Sequence, residues 1–452
     1  MKYRCNILLV RITVALSLFC CLLPKAYGLP SFARQTGQKC GACHVGGIWP
    51  QLTPWGRFFK LSGYTAGKSI RDKEGVYHLP VGVFGQAGMT FASQPNDAAG
   101  NIVVAHDASP ELYFLSGELG TKVTNFMGIF YTYNLNNTFP GWHGVTGPSD
   151  VRAVHFFHVG GKELLVGVDS NNNATNGDVW NSVPTWNYPF YLSPQALGGP
   201  ANPVIGNMEA QSASVGGYAL LDRQFYVEGS VYRAATGFFR WLSLGTQFYK
   251  GGKNYLQGEN PYWRAYWTRE HGPHSMMVGT FGMQSKLYPD SSNPTGPVNV
   301  FTDTGFDTQY QFLARTHKVT ARGTYIFEKQ AWDASFPLGT VGTPNGNVKS
   351  FNVSGSYSHG NTWTFHGGYA LANGNHDATL YAVTDSSGNV VSTSPKTTGY
   401  TVEVARMITQ NIQVSAQYRG FFQFHGQPHN VDGNGRNASA NNMLWLNVFF
   451  AF

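Results

Sequence analysis

The chain has 452 residues, of which only 12% are charged and 15% aromatic, with 54 glycines and a slightly negative mean hydropathy. That balance excludes an ordinary soluble domain and a helical membrane protein alike. The net charge of +7 falls to +3 once the four basic residues of the apolar leader are set aside, leaving 27 basic against 24 acidic residues, so no nucleic-acid-binding footprint is present.

The leader comes first. Lys2, Arg4 and Arg11 form a basic start, Ile12 to Leu23 an uncharged apolar run, and Ala26-Tyr27-Gly28 a small-x-small cleavage site. The run is too short to span a bilayer and a polar segment follows it, so residues 1–28 read as a signal peptide and not an anchor. Of the five cysteines, Cys5, Cys20 and Cys21 belong to the leader and only Cys40 and Cys43 remain afterwards. A disulfide framework is excluded beyond one local bridge. No later stretch offers the ~18 uncharged apolar residues of a spanning helix.

Residues 29–77 carry turn residues, basic groups and no strand alternation, and they read as a separate small unit. A unit of about 50 residues is marginal without a cofactor or a partner surface. Its centre is Cys40-Gly41-Ala42-Cys43-His44, a CxxCH. That spacing attaches haem, because two thiols can form thioethers to the two vinyl groups while His44 reaches the iron. A redox disulfide expects a βαβ context that is absent. A zinc site expects a further Cys or well-spaced His, and none follows in the segment. Export favours one haem c, held by Cys40 and Cys43 with His44 as axial ligand to the haem iron. The sixth ligand stays open among His78, lumen-facing side chains such as His158, Met276 or His366, and an open or water-bound site. Gly63-Tyr64-Thr65-Ala66-Gly67-Lys68-Ser69 has one residue too few between its glycines for a phosphate loop and is rejected as one.

From residue 78 to 452 the pattern has period two. Ile412, Val414, Ala416, Tyr418 and Phe422 share one face, and Gln413, Ser415, Gln417, Arg419 and Gln423 the other. The same holds for Tyr310 and Phe312 against Asp307, Gln309 and Gln311, and for Val319, Ala321, Tyr325 and Phe327 against Lys318, Thr320, Arg322 and Glu328. One face suits lipid and the other a wet lumen. Short turns, the first near Gly120-Thr121 and the last at 409–411, alternate with long polar loops, the third of them near 170–208. The expectation is an all-β fold, a transmembrane antiparallel β-barrel of about 16 strands with a small N-terminal c-type haem plug. The last strand ends in Phe452 with Leu444, Leu446, Val448 and Phe450 on its face, a pattern that resembles the assembly signal of outer-membrane proteins.

Pro30 to Tyr64, with Phe32-Ala33-Arg34-Gln35-Thr36-Gly37, the CxxCH, Pro50-x-Leu52, Gly56-Arg57 and Phe59-Lys60, followed by such a barrel, resembles the cytochrome-porin fusions of the bacterial outer membrane. The best known of these are iron oxidases of iron-oxidising bacteria. The resemblance implies an electron conduit from extracellular Fe(II) or another reduced donor, through one haem c, to a periplasmic cytochrome or cupredoxin, with outer-membrane lipid around it. Arg34, Lys39, Arg57 and Lys60 lie near the haem signal and are candidates to pair either with haem propionates or with lumen acids such as Glu163, Glu228 and Glu403. A second reading from another class is a solute porin whose haem segment is a structural or sensory plug.

Overall fold

The computed structural model describes residues 30–47, 51–70, 80–98, 100–136, 142–183, 192–246 and 254–452. The leader, Trp49, Pro50 and the candidate ligand His78 lie outside the described residues.

The strands in chain order are β1 (Val81–Ala92), β2 (Pro110–Lys122), β3 (Met127–Asn136), β4 (His143–Thr146), β5 (Asp150–Val159), β6 (Lys162–Asn171), β7 (Ser212–Leu221), β8 (Phe225–Ala234) and β9 (Asn260–His271). They continue with β10 (His274–Leu287), β11 (Asn299–Leu313), β12 (His317–Ala331), β13 (Asn345–His359) and β14 (Trp363–Gly374). A loop hairpin follows, β15 (Val383–Thr384) and β16 (Val390–Ser392), and then β17 (Thr397–Thr409), β18 (Ile412–Gln423) and β19 (Met443–Ala451). Apart from the hairpin, sequence neighbours pair antiparallel, and β1 pairs with both β2 and β19, which closes the ring. Both β4 and β5 pair with β3, at its end and its start respectively, so they are two pieces of one stave. Seventeen strands therefore form sixteen staves.

Parity follows the expected pattern. Asp303, Asp307, Gln309, Gln311, Thr320, Arg322 and Glu328 are buried inside, while Val166, Val168, Val227, Phe306, Val278 and Val404 stand exposed on the outside. A closed ring leaves no unpaired edge in lipid, and the outward apolar band supplies the lipid contact. The end with the short turns is periplasmic by the same rule. One turn differs from the sequence expectation. Gly120 and Thr121 stay in the ladder opposite Phe130 and Ile129, and the chain turns instead between Lys122 and Met127. Gly120 serves a close approach, because a side chain there would collide with Ser31 of the N-terminal segment.

The lumen is filled from both ends. Residues 30–70 enter from the periplasmic end, and the third external loop, between β6 and β7, folds inward. Among the described residues of that loop, the short helix Ala174–Gly177 is wholly buried. Leu61 of the N-terminal segment, Val179 and Trp180 of the loop, and Tyr218, Tyr226, Tyr266 and Met277 of the wall form one core. A second core joins Ala174, Val183, Ile205 and Met208 of the loop to Tyr232, Tyr262, Phe281 and Ile326. Each core takes inward apolar side chains that strict lumen polarity would not contain, and it does so where a loop must be held against the wall.

Candidate cofactor site

The N-terminal segment is helical where its sequence shows no strand alternation. Helices span Ser31–Thr36, Cys40–Cys43 and Pro54–Leu61. In the second, the amide of His44 donates to the Cys40 carbonyl at 2.9 Å, which sets the three residues of the motif on a single turn. The third begins with Thr53 as its N-cap, whose hydroxyl accepts from the Gly56 amide at 3.2 Å and donates to the Ala42 carbonyl at 2.6 Å. Pro54 stands at the first helical position, where no amide is needed. Gly56 lies against the Cys43 backbone, and a Cβ there would collide with the Cys43 carbonyl oxygen. The motif and the third helix therefore form one rigid piece. Phe32 stacks on Tyr64 with centroids 5.0 Å apart and meets Phe59 edge-on at 5.1 Å, giving the segment its own small aromatic core.

The basic residues take partners other than the acids expected. Arg57, 4% exposed, donates to the Leu52 carbonyl and Gln311 Oε1 at 2.8 Å each and to Ser275 Oγ at 2.7 Å. It also pairs with Glu270 at 3.2 Å and lies 3.6 Å from the centre of the Trp180 ring. Burial pushes its guanidinium down to about 10, with Glu270 opposing, so it stays charged at neutral pH. Lys60 donates to the Asn176 carbonyl and stands 3.8 Å from Asp150, which also accepts from Tyr64 and Arg152 at 2.8 Å each. Arg34 donates to the Val81 carbonyl. Glu163, Glu228 and Glu403 are engaged elsewhere, with Arg223, with Tyr226 and Ser230, and with Gln417. Arg57 and Lys60 do meet lumen acids, but these are Glu270, beside the short turn after β9, and Asp150, at the loop end of β5, which the fold brings to the Pro54–Leu61 helix.

Cys40, Cys43 and His44 line one cleft of about 1400 Å³, part of it open to solvent. Its walls are apolar at Phe32, Leu52, Phe59, Phe84 and Phe130, and Lys39 and Lys60 also line it. Asn176 and Asn181 of the inward loop bound it as well. Cys40 Sγ lies 3.5 Å from the Gln410 carbonyl. The Nδ1 of His44 is buried with no hydrogen-bond partner, and burial pushes this imidazole down to about 4, so it is neutral at neutral pH. A neutral imidazole is the form that ligates a metal. These residues fit a haem: two thiols and a neutral imidazole on one turn, apolar walls for the ring, and the exposed Lys39 beside it for a carboxylate. Among the described residues no three His, Cys, Asp or Glu side chains gather as a metal-ion cage, which gives the zinc alternative no further ligands.

Three sixth-ligand candidates are placed by the fold. Met276 faces lipid, 39% exposed, because its neighbour Met277 takes the inward parity. His158 is exposed near the end of β5, away from the cleft, and His366 is buried inside on β14 but does not line the cleft. The wall residues that do line it include Met407, Gln410 and Gln413. Of these, only Gln413 reads as lumen-facing in the sequence pattern quoted above. Glu403 carries the signal for Met407, since two steps of period two from a lumen acid put Met407 inside.

No family model matches the chain and no curated protein does. Among solved structures it is similar to the outer-membrane channel DcaP of Acinetobacter baumannii, at 11% identity over 85% of this chain and 100% of that one, with a TM-score of 0.47. It is also similar to an anion-selective porin from Comamonas acidovorans, at 12% identity over 82% and 99%, TM-score 0.43. A third is in-vitro folded OmpT of Vibrio cholerae, at 11% identity over 82% and 97%, TM-score 0.43. Likeness of this degree carries no argument about activity. The closed sixteen-stave ring, its apolar exterior and its polar, filled interior identify a porin-like β-barrel of the bacterial outer membrane on their own.

Proposed function

We propose that Cys40, Cys43 and His44 hold one haem c in this cleft, and that the chain passes electrons from an extracellular donor, Fe(II), to a periplasmic cytochrome or cupredoxin. The observation that supports this reading is the convergence of both thiols and the unpartnered imidazole on one apolar cleft within the barrel. Bound there, the haem supplies one-electron chemistry. The chain's own residues do the rest. Cys40 and Cys43 tether the group, so an exported protein does not lose it. The Pro54–Leu61 helix, clamped by Arg57, separates the cleft from the lumen wall at Gln311 and Ser275. Lys39 and Gln38 are exposed beside the cleft, on the side from which a periplasmic carrier approaches. Asn176 and Asn181 bound the cleft on the side of the external loop, from which the donor comes.

A second reading is favoured by the barrel itself. A porin-like ring supports a solute porin in which residues 30–70 are a haem-bearing structural or sensory plug, and of the two readings it is the one that the architecture alone carries. Intact outer-membrane vesicles separate them. Excess Fe(II) is expected to reduce the haem bands, and a disulfide between cysteines placed in the external loops to slow that reduction. Haem that stays oxidised in Fe(II) but yields to a small permeant reductant would sink the conduit and leave the porin.

A further inference from the structure

The geometry points to Met407 as the second axial ligand of the haem iron, an inference that rests on the haem reading above. Three observations converge on it. Met407 lines the cleft together with Cys40, Cys43 and His44, and it is the one methionine to do so among the lining residues. It takes the inward parity of β17, in line with Ala405 and Thr401, which are buried, while Ile408 is exposed outside. The ladder between β17 and β18 slips immediately after it: Met407 faces Gln413, but Thr409 faces Ile412. Such a bulge re-aims a side chain and recurs beside functional sites. The turn after His44 adds to this. Gly47 has φ 78°, and a Cβ on it would stand 3.6 Å from Met407 Cγ, so the Met407 side chain lies beside the turn that follows His44.

Three other side chains on the cleft that could reach a metal are committed. Lys60 donates to the Asn176 carbonyl and neighbours Asp150, Tyr64 donates to Asp150, and Glu118 accepts from Ser31. Lys39 immediately precedes Cys40, so it issues from the same turn as the motif and not from a facing wall. His44 is the one imidazole on the cleft among the lining residues. A thioether is also the softer ligand, and iron held by His and Met has a raised reduction potential compared with other axial pairs. A raised potential is what an acceptor of electrons from Fe(II) requires.

The test uses the purified full-length holoprotein in detergent and reads the haem, not turnover. The wild type is expected to show a low-spin ferric spectrum with the red sulfur-to-iron charge-transfer band, and a ferrous form that does not bind carbon monoxide. Met407→Leu, which keeps volume on the same strand, is expected to lose that band, to turn high-spin and to bind carbon monoxide. Met407→His is expected to return a low-spin spectrum without the band, at a lower potential. Met276→Leu, facing lipid, is expected to leave all of these unchanged. Haem bands, spin state and carbon monoxide behaviour that are the same in Met407→Leu as in the wild type would overturn the assignment while leaving the haem reading intact. A wild type with no covalent haem stain would overturn both. Heat-modifiable mobility on gels confirms that each variant barrel is folded, and haem staining that each is loaded.

Discussion

Arg57 offers the most direct measurement of what holds the segment in the lumen. In Arg57→Ala two hydrogen bonds from a charged group to the wall disappear, to Gln311 and Ser275, and one within the segment, to Leu52, together with the stacking on Trp180. A hydrogen bond to a charged group contributes about 1.5–3 kcal/mol, and a desolvated cation–π contact about 2 kcal/mol. The ion pair with Glu270 adds little, since that carboxylate is 49% exposed. Water entering the vacated space satisfies part of what is left behind, so docking is expected to weaken by about 4 kcal/mol, less than the sum. At about 1.4 kcal/mol per factor of ten, the segment's opening equilibrium rises about a thousandfold. Amide hydrogen exchange of the folded barrel reads this directly, because local opening and not global unfolding exposes these amides. Protection within Pro54–Leu61 should fall by that factor while β11 to β14 are unchanged. Arg57→Lys should fall in between, keeping the charge but losing the fork. Wild-type protection of Pro54–Leu61 in Arg57→Ala would refute the claim that Arg57 clamps the segment.

Further outcomes are expected. Cys40→Ala with Cys43→Ala should abolish haem staining after denaturing electrophoresis while heat-modifiable barrel persists, since the ring carries its own hydrogen bonding; a stained band in the double variant contradicts the attachment. Gly56→Ala should lower the haem-loaded fraction, because the added methyl collides with the Cys43 carbonyl, and equal loading would show that the two helices have room to part. Deleting Phe452 removes the pair of backbone hydrogen bonds with Val83, at 2.7 and 2.8 Å, and should lower assembled barrel in outer-membrane fractions; undiminished assembly counts against a role for this seam. Burial lowers Lys60 from 10.5 to about 8. An undocked chain therefore binds more protons than the docked one between those values, so docking should strengthen as pH rises through that window, and Lys60→Met should flatten the rise in exchange protection.

Much of the barrel is legible in the sequence because a strand with one face in lipid and one in water must alternate. Gln311, Arg322 and Gln413 could be placed inside from parity alone. The CxxCH is visible in the sequence because it is local to five residues, and the structure brings those residues onto one cleft. What parity does not reveal is which polar residue meets which. Arg57 lies 218 positions from Ser275 and 254 from Gln311, and nothing short-range distinguishes Glu270 and Asp150 from Glu163, Glu228 and Glu403. The inward fold of the third loop is equally hidden. Its Gly, Asn and Pro content reads as an external loop, and only the burial of Asn171, Asn172 and Asn173 at 0% exposure reveals that it turns into the lumen. Gly120 misled for a related reason: a glycine that makes room for Ser31 looks, in sequence, like a glycine that makes a turn.

The cleft takes part of its wall from Phe84 on β1 and from Phe449 and Ala451 on β19, the two strands that meet where the ring closes. Another part comes from the turn after β17, and the contact between Cys40 and the Gln410 carbonyl spans 370 positions. Contacts of such separation carry the largest loop-closure entropy in the chain and belong to the end of folding. The part of the wall that Phe449 and Ala451 supply therefore does not exist while the last strand is unpaired. A chain stalled one strand short of closure would lack Phe449 and Ala451 beside Cys40 and Cys43, and the spectrum of a haem held there would time the final zippering of the ring.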